Sequence, residues 1–245
     1  MPRLLAMWSG PRNISTAMMR SWDARPDTVV CDEPLYARYL QITGLDHPGH
    51  RDVIDAGPTN LGEAIDWLTT PPQPPAEIFY QKHMAHHLLP GTDTEWTRQL
   101  TNAFLIRDPE EMLTSLLKVI PNPDLDATGL PQQVALFEQE TQRLGTIPAV
   151  IDGRDVLEQP EATLRKLCSA ISVSFLDDML AWAPGPRSTD GVWAPHWYAS
   201  VERSTGFAAY RPKNETVPAR FTPMLRECRE LYQRLAEHKL RANML

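Results

Sequence analysis

The chain alternates short apolar runs with longer amphipathic stretches. The apolar runs are rich in branched and aromatic side chains, which is typical of buried strands. The predicted strands are residues 4–8, 28–31, 78–82, 103–106 and 149–151. The amphipathic stretches carry apolar residues at helical spacing, and most begin with proline. The predicted helices are residues 14–22, 109–119, 131–144, 160–171 and 223–241. This alternation favours an α/β fold of three layers, with a parallel sheet flanked by helices.

Two segments interrupt the alternation. Residues 41–76 predict a helix-and-loop insertion between the second and third strands. Residues 183–222 predict a long loop region rich in Trp, Tyr, His, Pro and Gly. With 245 residues, we expect residues 1–245 to form a single domain that carries both segments.

Polar residues follow every predicted strand directly. These strand ends are residues 10–13, 32–34, 82–83, 107–108 and 152–154. In a parallel sheet the carboxyl ends of the strands meet at one edge, and ligands bind beyond that edge. The sequence therefore predicts a binding site there.

The first strand runs into a turn and then into a helix, within the sequence LLAMWSGPRNIST. This layout directs backbone N–H groups and a helix N-terminus at one point, which suits phosphate or sulfate. The candidate anion-binding residues are Gly10, Pro11, Arg12, Asn13, Ser15 and Thr16. The loop is not a Walker A motif, because the positions for Gly-Lys-Ser/Thr hold Ser15, Thr16 and Ala17.

A second anion site is predicted after the fourth strand, in FLIRDPEEMLTSLLK. Arg107 ends the strand and Ser115 follows eight residues later. A helix rises only about 12 Å over eight residues, so the two side chains can hold one phosphate. The alternative is that Arg107 pairs with Asp108 or Glu111 while Ser115 faces solvent.

Together the two segments resemble the sulfotransferases that use 3'-phosphoadenosine 5'-phosphosulfate (PAPS). Residues 11–16 are similar to that family's Pro-Arg/Lys-Ser-Gly-Thr-Thr loop, and Arg107, Pro109 and Ser115 match its Arg, Pro and Ser signature. The stretch VIDGRDVLEQPEATLRKLCSAISVSF is similar to a later segment of the family. Ile14 stands where the family usually has Gly, and Arg12 where many members have Lys.

The resemblance implies a P-loop NTPase-like fold with PAPS as the sulfonate donor. The first loop would hold the 5'-phosphosulfate, and Arg107 with Ser115 the 3'-phosphate. No metal is expected, because no Walker B-like Asp is paired with a Walker A Ser/Thr. The family's late Arg-Lys-Gly segment is absent as such, and residues 209–213 are the nearest candidate.

The resemblance also suggests residues for the transfer step. Sulfuryl transfer needs cationic donors around the sulfonate and a base for the acceptor proton. Arg12 and Lys82 are the cationic candidates. Glu33, at the end of the second strand, and His83, at the end of the third, are alternative bases, and we favour Glu33.

Acceptor-binding candidates lie in the later loop region and beside His83. They are His86, Trp193, Trp197 and Tyr198. The aromatic residues fit either a lid over an acceptor pocket or a small satellite core under a long loop.

Composition limits the other possibilities. The net charge of −7 argues against a broad nucleic-acid-binding face. No run approaches 18 apolar residues and no signal peptide is predicted, so we expect a cytoplasmic protein with no membrane contact. Three scattered cysteines suggest neither a zinc site nor a disulfide framework. The expected function is sulfonate transfer to a hydroxyl or amine of a small-molecule acceptor. The alternatives are a P-loop-type nucleotide kinase and a non-catalytic nucleotide-binding relative of the sulfotransferases.

Overall fold

A five-stranded parallel sheet lies at the centre of the computed structural model, which describes residues 2–72 and 75–241. The strands are β1 (Arg3–Ser9), β2 (Thr28–Asp32), β3 (Ile78–Met84), β4 (Thr101–Ile106) and β5 (Ala149–Asp152). Their order is β2-β3-β1-β4-β5, and every neighbouring pair is parallel. The α/β class with a parallel sheet is therefore confirmed, and each strand contains the apolar run that predicted it.

Helices cover both faces of the sheet. They are α1 (Ser15–Asp23), α2 (Tyr36–Thr43), α3 (His50–Ala56), α4 (Leu61–Thr69), α5 (Pro109–Leu116), α6 (Leu130–Leu144), α7 (Gly153–Glu158), α8 (Pro160–Ala170), α9 (Ala194–Trp197) and α10 (Thr222–Ala236). Helices α1, α7 and α8 pack on one face, and α4, α6 and α10 on the other. No helix in the described part of the chain is both long and apolar enough to cross a bilayer.

Strand alternation divides the interior into two cores. In β1, Leu5 and Met7 face the core on the α1 side, whereas Ala6 and Trp8 face the core on the α6 side. Burial on both faces explains why the strands read as unbroken apolar runs. Each large side chain buried in this way contributes roughly 1.5–3 kcal/mol.

Two helices end several residues earlier than predicted, and one helix was not predicted. Helix α5 ends at Leu116, because a tight turn closed by the N–H of Val119 on the carbonyl of Leu116 comes before Pro121. Helix α10 ends at Ala236, and the N–H of Leu240 then donates to the carbonyl of Val150 in β5. Helix α7 was not predicted, because its six residues are too few to show a helical period.

The two interrupting segments contain more helix than the pattern indicated. Residues 36–69 hold α2, α3 and α4, while residues 73 and 74 of the predicted insertion lie outside the described residues. Residues 183–221 form an irregular segment with the short helix α9 and a 3-10 turn at Ala219–Phe221, and we name this segment the C-terminal loop. Among the contacts that anchor it, Asp190 forms a buried ion pair with Arg20 of α1 at 2.6 Å, and Tyr198 donates a hydrogen bond to Asp32.

Candidate active site

A cavity of about 440 Å³ lies at the carboxyl ends of the strands, where the sequence predicted a site. Residues 10–14 connect β1 to α1, and we name them the anion loop after the predicted ligand. The anion loop and the first turn of α1 line one part of the cavity, and the C-terminal loop lines another. The sequence-predicted residues on its lining are Pro11, Arg12, Asn13, Ser15, Thr16, Glu33, Lys82, His86, Arg107, Ser115, Trp193, Trp197 and Tyr198. Gly10 and His83 are the predicted residues that do not line it.

The anion loop bends at Arg12. Its φ of 56° lies in the left-handed region, whereas Ile14 has a φ of −88°. A glycine is therefore not required at position 14, and the departure from the family's loop causes no backbone strain there. The Asn13 side chain fixes the turn, because its Oδ1 accepts from the N–H of Ile14 at 2.8 Å and its Nδ2 donates to the carbonyl of Leu105 at 3.1 Å. Helix α1 begins without a side-chain cap among the described residues.

Gly10 has a packing role that the sequence did not predict. A Cβ at this position would lie 2.5 Å from the carbonyl oxygen of Thr128. Thr128 immediately precedes the turn that starts α6, so the close approach fixes the anion loop against that helix. Gly10 does not line the cavity, and its contact with an anion stays a prediction.

Three cations gather at the α5 end of the cavity. The Nε of Arg12 donates to Ser115 Oγ at 3.1 Å, and Arg107 donates to the backbone carbonyl of Arg12. Lys213 of the C-terminal loop completes the group. Burial and then the proximity of Arg107 lower the pKa of both Arg12 and Lys213. We name Arg12, Arg107, Ser115 and Lys213 the cationic end.

The alternative interpretation of the Arg107 segment is only partly right. Arg107 does pair with Glu111, at 3.0 Å from Nη2 to Oε2. Ser115, however, is buried and bonded to Arg12, so it does not face solvent. Although burial opposes the change, hydrogen bonds from Tyr210 and Arg107 lower the pKa of Glu111. This carboxylate therefore orients Arg107 along the cavity wall.

At the other end, Lys82 occupies a buried cluster of acidic side chains. Its Nζ donates to Asp32 Oδ1 at 2.7 Å, to Glu33 Oε1 at 2.6 Å and to Tyr198 Oη at 2.7 Å. The Tyr198 hydroxyl donates in turn to Asp32 Oδ2 at 2.6 Å. An ammonium has three protons, so every proton of Lys82 is used within this cluster.

The backbone of Glu33 explains why two consecutive residues reach the same lysine. Successive strand residues point to opposite faces of a sheet. Glu33 follows the end of β2 with a φ of 41°. This left-handed turn brings its carboxylate to the same side of the sheet as the carboxylate of Asp32. Burial raises the pKa of Glu33 despite the nearby Lys82, and a raised pKa is typical of a general base. The two carboxylates raise the pKa of Lys82 well above its usual range, against the effect of burial.

His83 lies outside the site. It stacks on Trp8 with ring centroids 4.1 Å apart, and its Nε2 lies 3.1 Å from Gln81 Oε1. Strand alternation explains this position, because Lys82 faces the α1 side and its neighbour must face the other. Burial lowers the pKa of His83 to about 3. The expectation that His83 is an alternative base is therefore wrong on geometry.

The sequence did not reveal a histidine–tyrosine wall next to Glu33. Tyr36 stacks on His87 at 4.8 Å between ring centroids, and its hydroxyl lies 2.8 Å from His47 Nδ1. Tyr39 contacts His86 edge-on at 5.3 Å. One signal in the sequence could have pointed to Tyr36. It follows Glu33 by three residues, so a helix that begins there places it next to the same cavity. Trp193 and Tyr198 serve two purposes, since they pack in a satellite core with α2 and also line the cavity.

The described residues contain no group of three His, Cys, Asp or Glu side chains that could hold a metal ion. Cys31, Cys168 and Cys228 are buried, unpaired thiols.

The fold and site define an α/β protein with a parallel sheet and a strand–loop–helix element, β1 to α1, at the wall of its cavity. A model of the sulfotransferase domain family matches residues 3–233, and the chain belongs to this family. Two solved structures share the fold: the sulfotransferase domain from the curacin biosynthetic pathway and that from the Synechococcus PCC 7002 olefin synthase. Both have a TM-score of 0.56, with 14% and 15% identity. The alignment with the curacin pathway domain covers 94% of this chain and 97% of that domain. The alignment with the olefin synthase domain covers 95% of this chain and 95% of that domain.

Two curated relatives come from Arabidopsis thaliana. Branched-chain-amino-acid aminotransferase-like protein 1 is 38% identical over 237 residues, which are 97% of this chain and 42% of that protein. Branched-chain-amino-acid aminotransferase-like protein 2 is 36% identical over 233 residues, which are 94% of this chain and 41% of that protein. The chain thus spans about two fifths of the length of these relatives.

Proposed function

We propose that the protein transfers a sulfonate group from PAPS to a hydroxyl or amine of a small-molecule acceptor. The observation that carries the proposal is one cavity with a cationic end, an anion loop and a buried carboxylate at its other end. PAPS, the sulfonate donor, carries two separated anionic groups. The family membership supports the reaction class.

The anion loop and the cationic end would bind the two anionic groups of PAPS. Backbone N–H groups at the start of α1, with Arg12, would hold the 5'-phosphosulfate. Arg107, Ser115 and Lys213 would hold the 3'-phosphate, where planar guanidinium donors suit phosphate oxygens. Arg12 donates to Ser115, and this bond would keep the two subsites in register.

Glu33 would act as the base. Its Oε1 accepts from Lys82, while its Oε2 lies 4.0 Å from Nε2 of His87 in the histidine–tyrosine wall. The acceptor oxygen forms a bond to sulfur, its proton passes to Glu33, and the sulfur–oxygen bond to the donor phosphate breaks. Because all three protons of Lys82 are used, we assign it a positioning role for Glu33 instead of the predicted sulfonate contact.

Ligand-dependent thermal unfolding tests the proposal. We expect 3',5'-bisphosphoadenosine to stabilise the protein without metal, by about 2.7 kcal/mol at a hundredfold excess over Kd. ATP with magnesium is expected to give no shift. Stabilisation by ATP with magnesium and none by bisphosphoadenosine would indicate a nucleotide kinase instead.

The Arg107→Ala variant tests the 3'-phosphate assignment. Loss of a charge-assisted contact is expected to weaken bisphosphoadenosine at least about tenfold. Adenosine 5'-phosphosulfate, which lacks the 3'-phosphate, is the matched ligand and should bind almost unchanged. Equal losses for the two nucleotides in calorimetric titrations would contradict the assignment.

A further inference from the structure

The two ends of the cavity differ in charge. Arg12, Arg107 and Lys213 gather at the cationic end. The opposite end, which we name the acceptor arm, is defined by Glu33, Tyr36, His47, His86, His87 and Trp193. Apart from Lys82 of the buried cluster, no lysine or arginine lines this arm among the described residues.

Lys82 offers no charge to a ligand in the acceptor arm. Its side chain is 1% exposed, and its protons are bonded to Asp32, Glu33 and Tyr198. By formal charge, the carboxylates of Asp32 and Glu33 outnumber the single ammonium of Lys82, so the cluster carries one net negative charge. Glu33, whose carboxylate is 13% exposed, presents that charge to the cavity.

The histidines add no positive charge to the arm. Burial lowers the pKa of His86 to about 3, that of His87 well below its usual range, and that of His47. They are therefore neutral near pH 7. The Nδ1 atoms of His86 and His87 are buried without a hydrogen-bond partner in the described part of the chain. These unpaired atoms can bond to polar groups of a ligand.

We propose that the acceptor is a hydroxyl compound that carries a positively charged amine, and that the arm rejects acceptors with a carboxylate. This inference rests on the proposed sulfonate transfer. The negative charge of the lysine cluster and the aromatic rings of Tyr36 and Trp193 stabilise an ammonium group. A carboxylate would lose its hydration beside Glu33 and find no free cation.

Three probes of one shape test the inference. Tyramine is cationic, tyrosol is neutral and 4-hydroxyphenylacetate is anionic, while the phenol ring and the length of the side chain are similar. Calorimetry measures their binding to the free protein and to the protein with 3',5'-bisphosphoadenosine, and transfer assays with PAPS give kcat/KM. Tyramine is expected to bind most tightly, and 4-hydroxyphenylacetate at least about tenfold more weakly.

Two variants of His47 separate charge from shape. His47→Lys adds a cation at the half-buried rim of the arm, so it should raise the affinity for 4-hydroxyphenylacetate and lower that for tyramine. His47→Gln retains hydrogen bonding without charge, so the order of the three probes should be the same as in the natural protein.

The outcomes distinguish this inference from the proposed function. If bisphosphoadenosine fails to bind while the free protein still prefers tyramine, the proposed function fails and the charge preference stands. If bisphosphoadenosine binds but 4-hydroxyphenylacetate binds as tightly as tyramine, only the inference is overturned. It is also overturned if none of the three probes binds, or if His47→Lys leaves their order unchanged.

Discussion

Among single residues, Lys82 has the most constrained environment in the site. It joins β3 to the end of β2 and to the C-terminal loop through Asp32, Glu33 and Tyr198. A buried ion pair of this kind adds little net stability, but removal of one partner leaves uncompensated charge in the interior. Lys82 therefore couples the stability of the protein to the position of its candidate base.

The Lys82→Met variant is expected to lose about 3–5 kcal/mol of unfolding free energy, because two carboxylates are left without their cation. Urea denaturation measures this loss. Lys118→Met is the matched control, since Lys118 forms an exposed pair with Glu215 and its loss should cost less than about 1 kcal/mol. Similar losses for the two variants would show that the buried pairing of Lys82 contributes no more to stability than an exposed ion pair.

The Glu33→Gln variant tests the base. Gln has the same shape and its Oε1 can still accept from Lys82, but it cannot take a proton at neutral pH. We expect kcat for sulfonate transfer to fall at least about a hundredfold, with the affinity for bisphosphoadenosine unchanged. A kcat close to that of the natural protein would exclude Glu33 as the base.

Among the elements, the strand–loop–helix of β1 and α1 organises the site. Its shape depends on the left-handed residue Arg12, on the side-chain bonds of Asn13 and on the close approach of Gly10 to Thr128. Only the last of these requires glycine. The loop is therefore held in place by α6, an element more than a hundred residues away in sequence.

The Gly10→Ala variant tests this dependence. The new methyl group would collide with a backbone carbonyl that cannot rotate away, and we expect a loss of roughly 1–3 kcal/mol in stability. The shift of the loop should also weaken bisphosphoadenosine in calorimetric titrations. Gly44→Ala is the control, because the exposed end of α2 has open space around it. It should cost about 1 kcal/mol of backbone strain and leave nucleotide affinity intact.

Local pattern was sufficient to predict the strands and the longer helices. Runs such as Leu5 to Trp8 are buried on both faces, so their apolar character is unbroken and easy to identify. The anion loop and Arg107 were also predicted, because strand ends and helix starts leave local signals. The left-handed turn at Arg12 was not, since Arg is an uncommon residue for that conformation.

Half of the acceptor arm, namely Tyr36, His47 and His87, was missed for a different reason. Tyr36 and His47 come from the insertion, and no periodicity indicates that α2 folds back over the end of β3. The neighbours Lys82 and His83 were both assigned to the site, although strand alternation allows only one of them to face it. Which of these residues face the cavity therefore depends on tertiary contacts between distant segments, and local sequence pattern does not report those contacts.

For the whole molecule, buried neutral histidines make stability depend on pH. Burial holds the pKa of His83 and His86 at about 3 in the folded protein, whereas the unfolded value is near 6.5. The unfolded chain therefore binds more protons below pH 6.5, and these histidines favour unfolding progressively as pH falls. Each contributes at most roughly 1.4 kcal/mol per pH unit.

The His83→Gln variant isolates this effect. The unfolding free energy is measured by urea denaturation at several pH values between 7 and 5. It should fall less steeply with pH in the variant than in the natural protein, because the contribution of one buried histidine has been removed. Buried carboxylates with raised pKa values, such as Glu33 and Asp152, oppose the trend, but they are present in both proteins. Identical slopes would contradict a neutral, buried His83.

The anchoring of the C-terminal loop has a consequence for how this protein can diversify. Residues 199–205 lie between Tyr198, which is bonded to Asp32, and Gly206, which forms a bridge with Ala181. Within this short stretch Ser200, Val201 and Ser204 line the cavity. Substitutions there change the wall that an acceptor meets without touching the lysine cluster or the sheet. Under the proposed function, selection can therefore alter which acceptor is sulfonated while the residues assigned to the transfer stay unchanged.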